Sequence, residues 1–131
     1  MIKMGETLRK NEKLKSKKLI EQLFAEGKRV KSFPFQLIYL PADQSSEMQL
    51  KVGFSVPKRI VKRAVDRNRI KRMMREVYRK NKKLFTKDLK EPYIFMLIYS
   101  EKKEIKYTDL ELAIEKISSK FLKKITKDEE N

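Results

Sequence analysis

The chain contains neither cysteine nor histidine among its 131 residues. The lack of cysteine excludes disulfide bonds, zinc–thiolate centres and thiol nucleophiles. The lack of histidine removes the most common general base and the most common ligand of transition metals. Three glycines, Gly5, Gly27 and Gly53, are too few and too scattered for a phosphate-binding glycine loop. This composition argues against an enzyme that works alone.

Acidic residues are scarce as well. Eighteen Asp and Glu face thirty-four Lys and Arg, which leaves a net charge of +16. Such an excess says little about the fold but predicts a polyanionic partner, either nucleic acid or an anionic membrane surface. The N-terminus has no apolar segment of signal-peptide length, and the longest apolar run, 93–99, has the length of a buried strand. We therefore expect a cytoplasmic protein.

The length fits one domain, and the hydrophobic pattern predicts six elements in the order α-β-β-α-β-α. Ser16 and Gly27 bound a first helix, and Thr108 with Glu111 caps the last one. Strands are expected at 33–40, 48–56 and 93–99. The predicted fold class is an α/β (α+β) two-layer sandwich with a small mixed sheet and a long basic helix in a crossover. Residues 1–15 are expected to form a flexible basic arm, 16–126 a single domain and 127–131 an acidic tail.

The long helix concentrates the positive charge. Residues 57–83 contain thirteen Lys and Arg but only two acids, Asp66 and Glu76. At helical spacing, the apolar residues fall on one side and the cations on the other. A solvated face is the ordinary interpretation of charged helices, yet like charges three or four residues apart destabilise a free helix. The run therefore favours polyanion binding, and arginine suits bidentate phosphate contacts. A membrane surface is less favoured because no exposed aromatic anchor is evident.

The segments KVGFSVPKR and AVDRNRIKRMMREVYR resemble the signature of the bacterial ribonuclease P protein component. In that family a strand ending in a Ser-Val-x-Lys-Lys type sequence precedes Ala-Val-x-Arg-Asn-Arg-x-Lys-Arg at the start of a long helix. The matching positions here are Ser55, Val56, Lys58, Arg59, Ala64, Val65, Arg67, Asn68, Arg69, Lys71, Arg72, Arg75 and Glu76. The weaker match extends from about Leu14 to Phe121. The resemblance implies an α/β sandwich with a left-handed crossover through the basic helix.

The resemblance also implies a function: the protein subunit of an endoribonuclease that removes the 5′ leader from precursor tRNA. The catalytic RNA supplies the active site and uses Mg²⁺, so no catalytic residue, metal ligand or protein partner is expected on this chain. The implied RNA-binding residues are Lys58, Arg59, Lys62, Arg67, Asn68, Arg69, Lys71, Arg72, Arg75 and Arg79. The implied leader-binding cleft contains Phe24, Phe35, Tyr39, Ser55, Arg67 and Lys71. Many family members have Phe where this chain has Ile20, which removes one stacking surface.

Two other classes remain open from the residues themselves. A ribosomal or other structural RNA-binding protein would be equally small and basic. A DNA-binding module is a third hypothesis, although the Arg-Asn-Arg helix start has no recognisable helix-turn-helix partner. Phe24 and Tyr39 can each be interpreted either as a core residue or as a cleft residue.

Overall fold

The computed structural model describes residues 13–42 and 50–130, which form one four-stranded mixed sheet with helices on both of its faces. The elements, in chain order, are α1 Lys17–Glu26, β1 Lys28–Ser32, β2 Phe35–Pro41, β3 Leu50–Ser55, α2 Ala64–Asn81, α3 Lys83–Thr86, β4 Tyr93–Tyr99 and α4 Tyr107–Glu130.

The strands are arranged in the order β1-β2-β4-β3. β2 is antiparallel to both β1 and β4, whereas β3 is parallel to β4. Parallel neighbours require a crossover connection, and here α2 and α3 lie within it. The structure thus confirms the predicted fold class, with a mixed sheet and a basic helix in a crossover.

The sheet has a large core on one face and a small core on the other. Every residue of β4 is buried, which confirms that this strand is covered on both sides. α2, α3 and α4 cover one face, where Tyr78, Phe85, Phe95 and Phe121 pack edge to face or tilted. α1 covers part of the other face, where its Leu23 is fully buried beside residues of β2 and β4.

α1 begins and ends where the sequence predicts. The Ser16 hydroxyl accepts a hydrogen bond from the backbone N–H of Leu19 at 3.3 Å, and the Gly27 N–H donates to the Leu23 carbonyl at 2.8 Å. Gly27 has φ −67°, so no left-handed conformation requires glycine here. A Cβ would instead lie 2.4 Å from the Leu23 carbonyl oxygen and 2.6 Å from Ile38 Cγ2. Close packing of the helix end on β2 therefore explains this glycine.

Several predicted boundaries are wrong. β1 was not expected, and Phe33 and Pro34 form the turn between β1 and β2 instead of starting a strand. The last helix starts at Tyr107, so Thr108 lies inside it and does not cap it. The same helix extends through residues 127–130 of the expected tail.

Two residues of the expected N-terminal arm, Lys13 and Leu14, belong to the folded domain. Lys13 forms an isolated parallel bridge with Val52 of β3, and the Leu14 N–H donates to the Val52 carbonyl at 2.9 Å. Leu14 is buried in the small core. Residues 13 and 14 are thus attached to the edge of the sheet, whereas residues 1–12 of the expected arm lie outside the described residues.

Candidate nucleic-acid interface

The segment that leads into α2 is held in place by its own backbone and by Arg67. The N–H groups of Ile60 and Val61 both donate to the Pro57 carbonyl at 3.0 Å, and Val61 is buried. The Arg67 guanidinium donates from Nη1 to the carbonyls of Val61 at 3.1 Å and Lys62 at 2.7 Å. Arg67 therefore fixes the loop that presents three exposed cations, Lys58, Arg59 and Lys62.

Two of the predicted RNA-binding arginines are paired with carboxylates. Arg69 donates to Glu104 at 2.7 Å and to Asp66 at 2.9 Å, and the hydrogen bond to Glu104 is the main reason why the pKa of Arg69 is raised. Arg79 makes a two-point contact with Glu76, and this hydrogen bonding lowers the pKa of Glu76. These pairs fix the guanidinium groups and satisfy part of their charge within the protein.

The cations at the centre of α2 differ from Arg69 and Arg79 because they form no ion pair with a described carboxylate. Ile70, Met74, Val77 and Tyr78 are buried against the sheet, which orients the opposite side of the helix outward. Asn68, Arg72 and Arg75 are exposed on the helix, and Lys71 is half-buried. Among the residues that the structure describes, no carboxylate lies within 4.0 Å of the charged groups of Lys71, Arg72 or Arg75. Their charge is therefore available to an external anion.

A groove of about 610 Å³ crosses one end of the sheet next to the loop that leads into α2. The pairing places the β1–β2 turn, the end of β4 and the end of β3 side by side, because Phe35 pairs with Tyr99 and Ser55 with Ile98. The groove is lined by Phe24, Arg29, Lys31, Phe33, Pro34, Phe35, Gln36, Ser55, Pro57, Arg59, Ile60, Ile98, Tyr99 and Ser100. The described residues of its wall thus include three cations and no carboxylate.

The groove brings together some of the residues predicted for a leader-binding cleft. Phe24 lies at the C-terminal end of α1 and is 44% exposed, so its ring is a groove surface and not part of the core. Ser55 lines the same groove from the end of β3. Phe35 contributes to the wall but is only 2% exposed, so its ring offers no free face. Arg67 and Lys71 are not among the lining residues.

The prediction that Tyr39 lines this cleft is wrong. Tyr39 is 2% exposed, and its ring packs edge to face against Phe121 of α4 at a centroid distance of 5.1 Å. Side chains alternate between the two faces of a strand, and Ile38, not Tyr39, lies on the α1 face. Tyr39 is therefore a core residue under α4.

The sequence signature described above is part of a longer match to a protein-family model. The model described as Ribonuclease P matches residues 8–122. The chain belongs to the ribonuclease P protein family. The ribonuclease P protein component of Chlorobaculum tepidum is 41% identical over 90 residues, which cover 66% of this chain and 58% of that protein. The protein component of Petrotoga mobilis is 30% identical over 123 residues, which cover 94% of this chain and 96% of that protein. The chain thus matches less than two thirds of the length of the Chlorobaculum relative.

Solved ribonuclease P proteins share the fold. The RNase P protein from Thermotoga maritima superimposes with a TM-score of 0.67 at 19% identity, over 83% of this chain and 96% of that one. The Staphylococcus aureus RNase P protein gives a TM-score of 0.63 at 21% identity, over 79% and 89% of the two chains. The family assignment and the observed fold therefore agree.

Sequence reasoning missed the part of the groove that β1 forms. Arg29 and Lys31 pair with Ile38 and Gln36, so their side chains lie on the α1 face of the sheet. Phe33 lies in the turn and is 67% exposed. The Phe-Pro dipeptide between charged and apolar segments is a turn signal that could have shown this hairpin.

The described part of this ribonuclease P protein family member contains neither a metal-binding cluster nor a membrane-spanning helix. Within residues 13–42 and 50–130, no group of three or more acidic side chains is arranged to hold a metal ion. None of the helices in the same residues has the length and apolar character needed to cross a membrane.

Proposed function

We propose that this chain is the protein subunit of ribonuclease P and that it assists a catalytic RNA in removing the 5′ leader from precursor tRNA. The observation that carries this proposal is the outward face of α2. There, Arg72 and Arg75 are exposed three residues apart without a carboxylate partner among the described residues. The lack of local neutralisation favours a role in binding phosphate groups.

The buried side of α2 makes this face suitable for a folded RNA. Four buried side chains dock the helix on the sheet, so its cations project from a rigid support. Arg67 holds the adjoining loop, so Lys58, Arg59 and Lys62 extend the same charged region towards the end of β3. A rigid row of guanidinium groups can form bidentate contacts to successive phosphates with little further loss of entropy. In our proposal these cations bind the catalytic RNA.

The groove next to the loop that leads into α2 has the properties needed to hold the leader as a single strand. Single-stranded RNA is bound by stacking bases on aromatic rings beside cations that neutralise the backbone. Phe24 supplies an exposed ring, and Arg59 supplies a cation at the β3 end. Ser55 lies beside them and can exchange hydrogen bonds with a base or a ribose.

The protein would contribute binding, and the RNA would contribute the chemistry. The chain has no histidine or cysteine, and its described acids form no metal-binding cluster. In our proposal the catalytic RNA uses Mg²⁺ to activate water, whereas the cations of α2 reduce the repulsion between catalytic RNA and precursor tRNA. The protein should therefore lower the Mg²⁺ concentration that the reaction requires.

Reconstitution tests this division of labour. Protein freed of RNA should leave precursor tRNA intact, the catalytic RNA alone should cleave only at high Mg²⁺, and the two together should cleave at low Mg²⁺. A matched control omits the leader, since mature tRNA should bind the complex more weakly than precursor does. Cleavage by RNA-free protein, or no stimulation of the catalytic RNA at any Mg²⁺ concentration, would contradict the proposal.

A further inference from the structure

Phe33 is the most exposed large apolar residue of the described chain. It is 67% exposed in the β1–β2 turn, and it lines the same groove as Phe24, which is 44% exposed. The other two exposed large apolar residues, Val65 and Leu112, do not line the groove. Two exposed aromatic rings therefore share one surface, which suits a ligand with more than one flat, stackable group.

Cations accompany Phe33 at this end of the groove. Arg29 and Lys31 are exposed on β1 and line the groove from the α1 face of the sheet. The Lys31 carbonyl accepts a hydrogen bond from Lys120 Nζ at 2.8 Å, which ties the edge strand to α4. A ring beside two cations on a fixed strand is the combination that binds one nucleotide of a single strand: the ring stacks a base and the cations meet phosphates.

The opposite end of β2 differs in charge. A smaller cavity of about 260 Å³ is lined there by Glu26, Lys28, Tyr39, Leu40, Pro41, Glu91 and Tyr93. Two carboxylates outnumber the single lysine there, which makes this end less favourable for a phosphate backbone than the groove with its three cations. A strand of RNA that passes Phe24 is therefore favoured to continue across the sheet end towards Phe33.

The groove is long enough for separate contacts. It extends from the end of β3 to the β1–β2 turn, across all four strands. Neighbouring strands lie about 4.8 Å apart, so the distance from β3 to β1 is roughly 14 Å. This length exceeds one base, so the groove has room for more than one nucleotide.

We propose that Phe33, Arg29 and Lys31 form a second leader subsite, which binds a nucleotide further from the cleavage site than the nucleotide at Phe24. This inference rests on the proposed function. Its direction follows from the position of α2: the proposed face for catalytic RNA begins beside the end of β3, so the leader enters at that end. The β1 end of the groove then receives the upstream nucleotides.

The test measures binding of the reconstituted holoenzyme to precursor tRNAs whose leaders are shortened one nucleotide at a time. For the unmodified protein, affinity should rise in two steps as the leader grows past Phe24 and then past Phe33. Phe33→Ala should remove the second step and weaken binding of the long-leader precursor about fivefold, the lower range of base–aromatic stacking. Phe33→Tyr keeps the ring and should retain the step. Leu112→Ala, a matched loss of an exposed apolar side chain outside the groove, should change neither step.

Crosslinking locates the bound nucleotides directly. Because the chain has no cysteine, Phe24→Cys and Phe33→Cys each create a single thiol for a photoactivatable probe. The probe at position 33 should crosslink leader nucleotides upstream of those crosslinked from position 24. Crosslinks from position 33 to catalytic RNA alone, or no crosslink from it to the leader, would overturn the subsite.

The outcomes separate this inference from the proposed function. If the unmodified protein binds catalytic RNA and prefers precursor over mature tRNA, but Phe33→Ala weakens long and short leaders equally or not at all, the subsite is refuted and the function stands. If the unmodified protein neither binds nor stimulates catalytic RNA with any precursor, the function itself is refuted and the subsite falls with it.

Discussion

The charged face of α2 makes a quantitative prediction about salt. Of the predicted RNA-binding cations, six have neither an acidic partner nor, unlike Arg67, a side-chain hydrogen bond to the backbone among the described residues: Lys58, Arg59, Lys62, Lys71, Arg72 and Arg75. Each phosphate contact contributes about −0.7 to −0.9 to the slope of log K against log salt. Six contacts predict a slope of about −4.2 to −5.4 for binding of catalytic RNA. A fourfold rise in salt should then weaken binding about 300- to 1,800-fold.

Removal of single charges tests this count. Arg72→Gln and Arg75→Gln should each make the slope shallower by about 0.7 to 0.9, and the double variant should lose about twice that amount. Both side chains are exposed, so the substitutions should leave thermal stability nearly unchanged. Lys18→Gln is the matched control, because Lys18 is an exposed cation of α1, on the other face of the sheet. Its loss should alter the slope much less.

The assay is a filter-binding or fluorescence titration of catalytic RNA at several salt concentrations, at fixed Mg²⁺. Non-specific attraction would make every lost charge equivalent, because it depends on net charge and not on position. Slopes that fall equally for Lys18→Gln and Arg72→Gln would therefore refute a specific interface on α2. Unchanged slopes for both arginine variants would show that these side chains face solvent in the complex.

Three further predictions follow from the core and the ion pairs. Tyr39→Ala should lower the free energy of unfolding by about 3–5 kcal/mol in urea titrations and weaken precursor and mature tRNA equally, since the ring is core; selective loss for precursor would contradict this. Burial raises the pKa of Tyr99 from 10.0 to about 12, so its neutral phenol stabilises the fold up to about pH 10. This contribution to stability is lost as pH rises towards 12. Tyr99→Phe should therefore abolish that part of the alkaline stability profile. Glu76→Gln should remove the negative charge that Arg79 contacts at Glu76 and steepen the salt slope for RNA binding, whereas an unchanged slope would mean that Arg79 does not reach RNA.

Caps and hydrophobic patterns in the sequence predicted those elements that depend mainly on their own residues. Ser16 caps α1 with its own hydroxyl, and the uninterrupted apolar run of β4 matches a strand buried on both faces. β1 escaped prediction because its five residues, KRVKS, show no apolar alternation. That strand depends on distant partners: it pairs with β2, and Lys120 of α4 binds its edge.

The candidate site also combines a property that the sequence predicts with a property that only folding determines. The density of arginine and lysine in 57–83 is a property of the sequence alone, and it predicted a polyanion-binding surface before any fold was known. Which of these cations pair with carboxylates of the protein is decided by the tertiary structure. Arg69 is satisfied by Glu104, which is 35 residues away in sequence, whereas Arg72 has no described acidic partner.

The aromatic residues show why the sequence by itself could not complete the groove. Alternation along β2 places Phe35, Leu37 and Tyr39 on one face, but it does not say which helix covers that face. Docking of Phe121 buries Tyr39, while the short α1, whose end packs on β2, leaves Phe24 exposed. The sequence determined the charge of this protein and the periodicity of its elements, because both are local. The packing of distant helices on the sheet decided which rings meet solvent, because burial depends on residues brought together only by folding.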